Sequence, residues 1–410
     1  MKSAEPTLTR HPKTTAVGSL LHEVFDASVA RFFTAILKHH PRRDLLREAG
    51  HLDAAGRLVS YAMMLPERFV VDGVTMDAGL LEAVATAESW RGRGLFPSIH
   101  ADLLDQVADQ HYPFALLFGI PTYYRRLGYA FATPFYARCR MEAYVAADLH
   151  PVPGLHRRRA TAADVPRLMN LYHRSLAGKQ VHFSRDRASL RTWLKHYEKA
   201  GDIETHVFTR DGRVAAYLRV NFQTTGMLVM EAGGWTAATL PAALRYLGRR
   251  AMKEDLPDFD LALPGDDPLL PAAQYWGADP VDPMLTYALQ VKMLDWRRMI
   301  AALKPAFDRR LAASAFCDLT LSLPCRMDSQ SFTLEIRNGR FAGVGPPHDA
   351  PVVLCLRGGR ESLMRMLFGV KSVPDMLDTT PDMRCPPELR PVVSTLFPAL
   401  RPYVNELDGF

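Results

Sequence analysis

A chain of 410 residues is too long for one small core, and length alone predicts about two to four domains. With 48% hydrophobic and 23% charged residues the composition is that of an ordinary globular protein, which excludes a disordered or fibrous chain. The net charge of +6 is small for this length and the arginines are interspersed with acids, which argues against a nucleic-acid partner.

Residues 1–16 are polar and hold no apolar stretch of the signal-peptide kind, and no run approaches the ~20 apolar residues of a membrane span. A cytoplasmic protein with no membrane partner is expected. Cys139, Cys317, Cys325, Cys355 and Cys385 show no CxxC spacing. Buried free thiols of a reduced compartment are expected, and no metal site.

In chain order, Val17, Leu20, Leu21, Val24, Phe25, Val29, Phe32 and Phe33 follow the 3.6-residue period and predict a first helix. Strands are predicted at Leu58–Leu65, Phe69–Val74 and Gly79–Thr86, the second punctuated by Asp72-Gly73. A helical run follows Gly94 (Phe96, Ile99, Leu103, Leu104, Val107), then a strand at Phe114–Phe118 and a turn opened by Gly119 and Pro121. A second unit begins with capping residues Thr161 and Asp164 before a periodic run from Val165 to Tyr172. Strands at Thr205–Thr209, Val214–Asn221 and Gly226–Ala232 and a helix at Leu240–Met252 repeat the first unit's order, which predicts a degenerate internal duplication. The counterpart of the first unit's basic turn is Gly233-Gly234-Trp235, with no basic cluster. A third unit reads as an amphipathic helix at Leu294–Phe307, short strands at Leu319–Leu323, Phe332–Ile336 and Val352–Leu356, and a helix at Glu361–Leu367, an α+β pattern. The expected boundaries are 1–150, 151–290 and 291–410.

The chemistry concentrates in the first unit. The strand ending at Val84-Ala85-Thr86 runs into Arg91-Gly92-Arg93-Gly94-Leu95-Phe96, which opens a helix. Backbone N–H groups and the dipole at a helix start favour an anion, glycines let the backbone approach a phosphate, and Arg91 and Arg93 add charge-assisted hydrogen bonds. After the next strand comes Tyr123-Tyr124-Arg125-Arg126-Leu127-Gly128-Tyr129. His39-His40 beside Arg42-Arg43 reads as a solvated helix end.

These two pieces resemble the GCN5-related N-acetyltransferase (GNAT) superfamily, with its Arg/Gln-x-x-Gly-x-Gly/Ala motif after the fourth strand and a Tyr-x-x-x-Gly-Tyr/Phe element after the fifth. The resemblance implies acetyl-CoA as acyl donor, with pantetheine in a gap between those strands against the backbone of Val84 and Thr86, and Tyr124 as the acid that protonates the departing thiolate. The motif's last position is Phe96 instead of Gly or Ala, and a bulky residue there is expected to bear on the pyrophosphate pose. Over nearly its full length the chain is similar to the Eis-like acetyltransferases. That implies tandem GNAT folds, the second degenerate, followed by a sterol-carrier-protein-2-like α+β domain, and a homo-hexamer.

In that family a terminal phenylalanine threads into the first domain and its α-carboxylate helps deprotonate the amine, so Phe410 is the expected counterpart. A free α-carboxyl sits about 7 units below an alkylammonium, on the order of 9 kcal/mol, so an orienting and proton-relaying role is implied rather than a strong base. Glu82 is the alternative base, expected to share a strand face with Val84 and Thr86 by the period of two. Phe25 and Asp26, on the first helix, match positions that line the amine pocket. Gly409 stands where relatives carry an acid, with Glu406 and Asp408 further back. The expected reaction is acyl transfer to a small-molecule or peptide primary amine by direct attack. Two alternatives stay open: a lipid- or acyl-chain carrier with an inactive GNAT scaffold, and a longer-chain acyltransferase of a biosynthetic pathway.

Overall fold

The structure, a computed structural model, describes residues 5–120, 122–134, 137–223, 226–282, 288–347, 354–356, 360–381 and 383–404. Three sheets organise them, of 8, 7 and 5 strands. No described helix is long and apolar enough to cross a membrane.

The first sheet takes β1 (Thr7–Thr9), β2 (Arg47–Leu52), β3 (Leu58–Val71), β4 (Val74–Thr86), β5 (Phe114–Phe118) and β6 (Ala130–Phe131). Its spatial order is β1-β2-β3-β4-β5, then the strand Leu289–Met293, then β6. The two strands expected at Leu58–Leu65 and Phe69–Val74 are therefore one strand and a turn. Asp72 (φ 47°) and Gly73 (φ 77°) are both left-handed, the geometry of a two-residue hairpin turn. Pro66 is tolerated inside β3 because β2 stops pairing at Met64 and Val181–Phe183 begins pairing only at Phe69, so its missing N–H costs no ladder bond.

One side of this sheet is covered by α1 (Thr14–Val24) and α2 (Ala27–His39), the other by α3 (Leu95–Gln106). The single first helix expected from periodicity is two. Asp26 is extended (φ −145°) and its carboxylate accepts the Val29 N–H at 2.9 Å, capping α2. Hydrophobic spacing carries across such a break, which is why it could not show it. His40 is also not a solvated helix end. It is buried, and its Nε2 lies 3.4 Å from Glu67 Oε1.

The second sheet runs Asp279–Val281, Ala137–Glu142, Asp258–Leu263, Gly226–Gly233, Arg213–Gln223, Ile203–Arg210, Leu155–Arg159. Chain position and sheet membership thus cross over: residues 137–142 join the second sheet, and residues 289–293 return to the first. In the third unit the expected helix at Leu294–Phe307 is two, Trp296–Ala302 and Lys304–Ala312, and a strand at Arg340–Gly345 joins the expected ones. Its five-stranded sheet and helices share one apolar core cluster. Asp72 ties this unit to the first, pairing with Arg309 at 2.5 Å and Arg310 at 3.0 Å. Cys139, Cys325 and Cys385 are buried free thiols as expected, whereas Cys317 is free but exposed.

Candidate active site

β4 and β5 run parallel, but they pair only at Gly79↔Ala115 and Leu80↔Leu116. Beyond these pairs the strands part and leave a gap. A bulge on β4 accompanies the parting: Met63 faces Glu82 while Tyr61 faces Ala85, and Ala83 is left-handed at φ 53°. The bulge resets the alternation. Leu80 and Ala83, three residues apart, pack in one core cluster, and Leu81 and Val84 pack in the other. Glu82 therefore does not share a face with Val84 by simple period two, and the expected alternation is corrected on that point. Past the bulge, the Ala87 N–H donates to Val59 O at 2.9 Å. Ala85, two residues earlier, turns to β3 likewise, and by alternation Val84 directs its backbone N–H and C=O, and Thr86 its N–H, to the other side.

The turn at the end of β4 has the form that sequence predicted. Gly92 (φ 76°) and Gly94 (φ 74°) are left-handed, and Gly94 is the N-cap of α3 with no side-chain cap. Leu95 and Phe96 open the helix, so their N–H groups lack intrahelical acceptors. Arg91 Nε donates to Thr86 O at 3.2 Å, holding the turn against the strand end. Arg93 donates to Ser89 O at 3.1 Å and lies over the Trp90 ring at 4.6 Å. Phe96 is turned away from the turn: it is 4% exposed and sits edge-on to Tyr124 at 6.0 Å. The first turn of α3 directs the Phe96 ring into the core.

Tyr124 opens a short 3-10 turn, Tyr124–Leu127, closed by left-handed Gly128. It is 8% exposed, among Phe96, Tyr123 and Tyr129. Gly119 makes room for it, since a Cβ there would lie 2.5 Å from Tyr124 Cε2. Burial, with the nearby Glu82 and Tyr123, pushes the phenol well above 10. Its Oη has no hydrogen-bond partner among the described residues. Glu82, half-buried by exposure but deep among protein atoms, has its carboxyl pushed up to about 8 by desolvation, with only the Ala83 backbone N–H pulling the other way.

Sequence reasoning missed what holds this corner. The returning strand Leu289–Met293 lies beside β5, where Gln290 Nε2 donates to Gly119 O at 2.8 Å and Lys292 Nζ donates to Leu127 O. No local signal marks residues so distant in sequence as neighbours of Tyr124. The predicted Phe25 and Asp26 lie between α1 and α2, on the opposite side of the sheet from Tyr124's cluster, and no contact joins them to Tyr124 among the described residues. Phe25 is 48% exposed, and Asp26's carboxylate also accepts from Ser28 Oγ at 2.6 Å, which with the cap holds it below the usual carboxylate range. Phe410 lies outside the described residues.

Residues 14–132 match the family model of the acetyltransferase (GNAT) domain. Residues 14–132 thus form an acetyltransferase domain of the GNAT type. Among solved structures the whole chain is similar to a GCN5-related N-acetyltransferase from Kribbella flavida, with TM-score 0.67 and 18% identity over 98% of this chain and 99% of that one. It is similar to a probable N-acyltransferase from Enterococcus faecalis V583, with TM-score 0.69 and 14% identity over 98% and 100%. It is also similar to Eis1 from Mycobacterium abscessus, with TM-score 0.60 and 15% identity over 97% and 99%. At these identities the likeness is one of fold, carried from end to end. No curated protein matches the sequence significantly.

Proposed function

We propose that this protein transfers an acetyl group from acetyl-CoA to a primary amine by direct attack, within the first unit. The observation that carries the reading is the parting of β4 and β5, with Tyr124 in the turn after β5 and near Glu82 of β4. The residues present fit the donor: Val84 and Thr86 offer backbone hydrogen bonds along the gap, and the uncapped start of α3 with Arg91 and Arg93 offers donors to a pyrophosphate. Acetyl-CoA supplies a thioester whose carbonyl carbon accepts the amine nitrogen as the carbon–sulfur bond breaks.

Glu82 is the group we assign to take the amine proton, directly or through one water, because a carboxyl raised to about 8 is a stronger base than an ordinary carboxylate. Tyr124, held protonated by burial, gives its proton to the leaving thiolate. Gap-facing N–H groups of β4 would stabilise the carbonyl oxygen as it becomes anionic. The role implied for Phe410 gains one support. The Tyr403 N–H donates to Val181 O at 2.7 Å, and Pro402 bridges Val181 in parallel, so the chain there runs in the direction of β4. Phe183 next to it stacks on Phe118, at the end of β5, with centroids 6.3 Å apart. The Eis-like arrangement, the sterol-carrier likeness of the third unit and a hexamer belong to the same proposal.

The test is release of free thiol from acetyl-CoA with a panel of small and peptide amines, using native protein, Glu82→Gln and a version extended past Phe410. Thiol release with at least one amine supports the reading, and its absence with every amine, alongside binding of longer acyl chains, overturns it. A larger loss on extension than in Glu82→Gln would transfer the base's role to the terminal segment.

A further inference from the structure

A second recess lies away from the strand gap, where the three units meet. Its volume is about 770 Å³, the size of a small-ligand site, and meeting points of domains are where such sites concentrate. Pro134, Pro264, Pro280 and Pro402 form part of its wall, so its shape rests on backbone with fixed φ and little freedom to collapse. The wall is otherwise mainly apolar, with Val281, Val370, Leu400 and Val404.

The charges on this wall do not cancel. Arg138, Lys179 and Arg401 line it against a single acid, Asp266. Asp266 pairs with Lys179. Arg138 pairs with Asp260, behind the wall, but Asp260 is shared with Arg140 at 2.9 Å, and Arg138 Nε is buried with no partner. Arg401 has no ion pair among the described residues, and it stands close enough to Lys179 to lower that ammonium's pKa. Among the described residues Arg401 is thus the cation of this largely apolar wall that has no ion pair.

We propose that this junction cleft binds a small carboxylate with an apolar chain, the head taken by Arg401 and Lys179 and the chain lying on the proline and aliphatic wall. A guanidinium receives a carboxylate bidentately, and an apolar tail gains from the wall what a free inorganic anion does not. The site is distinct from the strand gap, and its occupant would report on how the units sit against one another, since residues from all three line it.

The experiment is calorimetric titration of the full chain with decanoate, decylamine and inorganic phosphate, repeated on Arg401→Glu and on Arg401→Gln. The proposal expects decanoate to bind, decylamine and phosphate not to, and either variant to weaken decanoate about tenfold or more, the equivalent of about 1.4 kcal/mol. Arg401→Gln guards against a folding defect from the introduced acid. Equal binding of decanoate and decylamine, or unchanged decanoate affinity in a folded variant, overturns it. So does binding that appears only after residues 405–410 are removed, because the chain's own acidic end would then be the occupant.

Discussion

Glu82 and Glu231 hold matching stations in the first and second sheets. Gly226–Gly233 and Asp258–Leu263 pair in parallel only at Leu228↔Asp260 and Val229↔Leu261, the same two-pair contact that β4 and β5 make at Gly79↔Ala115 and Leu80↔Leu116. Each glutamate lies two residues past the last of those pairs. Their surroundings drive them apart. Glu82 meets no cation, and its carboxyl rises to about 8. Glu231 is fully buried between Arg185, at 2.8 and 2.9 Å, and Arg219, at 3.0 Å, and accepts from Tyr217 Oη at 2.6 Å, so its carboxyl falls well below the usual range. The first half keeps a carboxyl that can exchange a proton, and the second has locked its counterpart into a structural anion.

The raised Glu82 carboxyl predicts the pH profile. Its folded value lies above the unfolded carboxyl's ~4.3, so the protonated form persists to about pH 8 and the base form appears only above that. kcat/KM should climb through about pH 8, and Glu82→Gln should lose that limb together with about 100-fold or more in rate. The same sign applies to stability: Glu82's favourable contribution is present below its unfolded value and lost as pH rises through about 8. An unchanged profile in the variant would remove Glu82 as the base.

Tyr124 is predicted to act as the acid without limiting the profile at high pH, because burial keeps the phenol protonated beyond the usual range. Tyr124→Phe should lower kcat by about 100-fold or more while acetyl-CoA affinity is kept. Gly119→Ala should behave as a milder copy, since its Cβ meets Tyr124 Cε2 at 2.5 Å and pushes the ring off station. A displacement of about 1 Å at such a group costs up to about 100-fold. Loss of acetyl-CoA binding in step with kcat, in either variant, would mean the ring shapes the gap and does not donate.

What the sequence made legible was local. The turn from Thr86 to Phe96 and the strand Phe114–Phe118 followed from glycine chemistry and apolar runs, and both stand where they were expected. What escaped it was set by contacts distant in the chain or by a shift of phase. Ala83's left-handed backbone reverses the faces beyond Glu82 with no glycine to announce it. The break at Phe25-Asp26 leaves the hydrophobic period undisturbed. The return of Leu289–Met293 to the first sheet fills the edge of β5 opposite β4, a contact made across about 170 residues that no local pattern marks.

The arginines of the turn predict a binding effect. Arg91→Ala and Arg93→Ala should each raise the acetyl-CoA KM about tenfold or more, as expected when a charge-assisted hydrogen bond of about 1.5–3 kcal/mol is removed, with kcat little changed. The effect should shrink as salt rises, because both side chains are exposed. Steady-state kinetics in low and high salt check this, and a fall in kcat with constant KM would place these residues at the chemistry instead.

The lock at Glu231 predicts instability without a direct catalytic defect. Arg219 is 1% exposed, stacks on Trp193 at 4.1 Å, and has Nε and Nη2 buried with no partner, so Glu231 is the anion that makes its burial tolerable. Glu231→Gln removes the carboxylate that the two buried guanidinium groups share, and loss of one partner from such a buried set costs about 3–5 kcal/mol. Because Glu231's folded value lies below its unfolded one, the stabilisation is present above pH ~4.3 and is lost as pH falls toward the depressed value, so the gap between native and variant should narrow in acid. Urea unfolding at pH 7 and pH 4 measures both statements. Replacing Arg185, Arg219 and Glu231 together by apolar residues of similar volume should recover much of the loss, since an apolar core of that shape has no charge to desolvate. A Glu231→Gln protein within about 0.5 kcal/mol of native at pH 7 would show that the arginines find other partners, and that the second half has not fixed its glutamate as a structural anion.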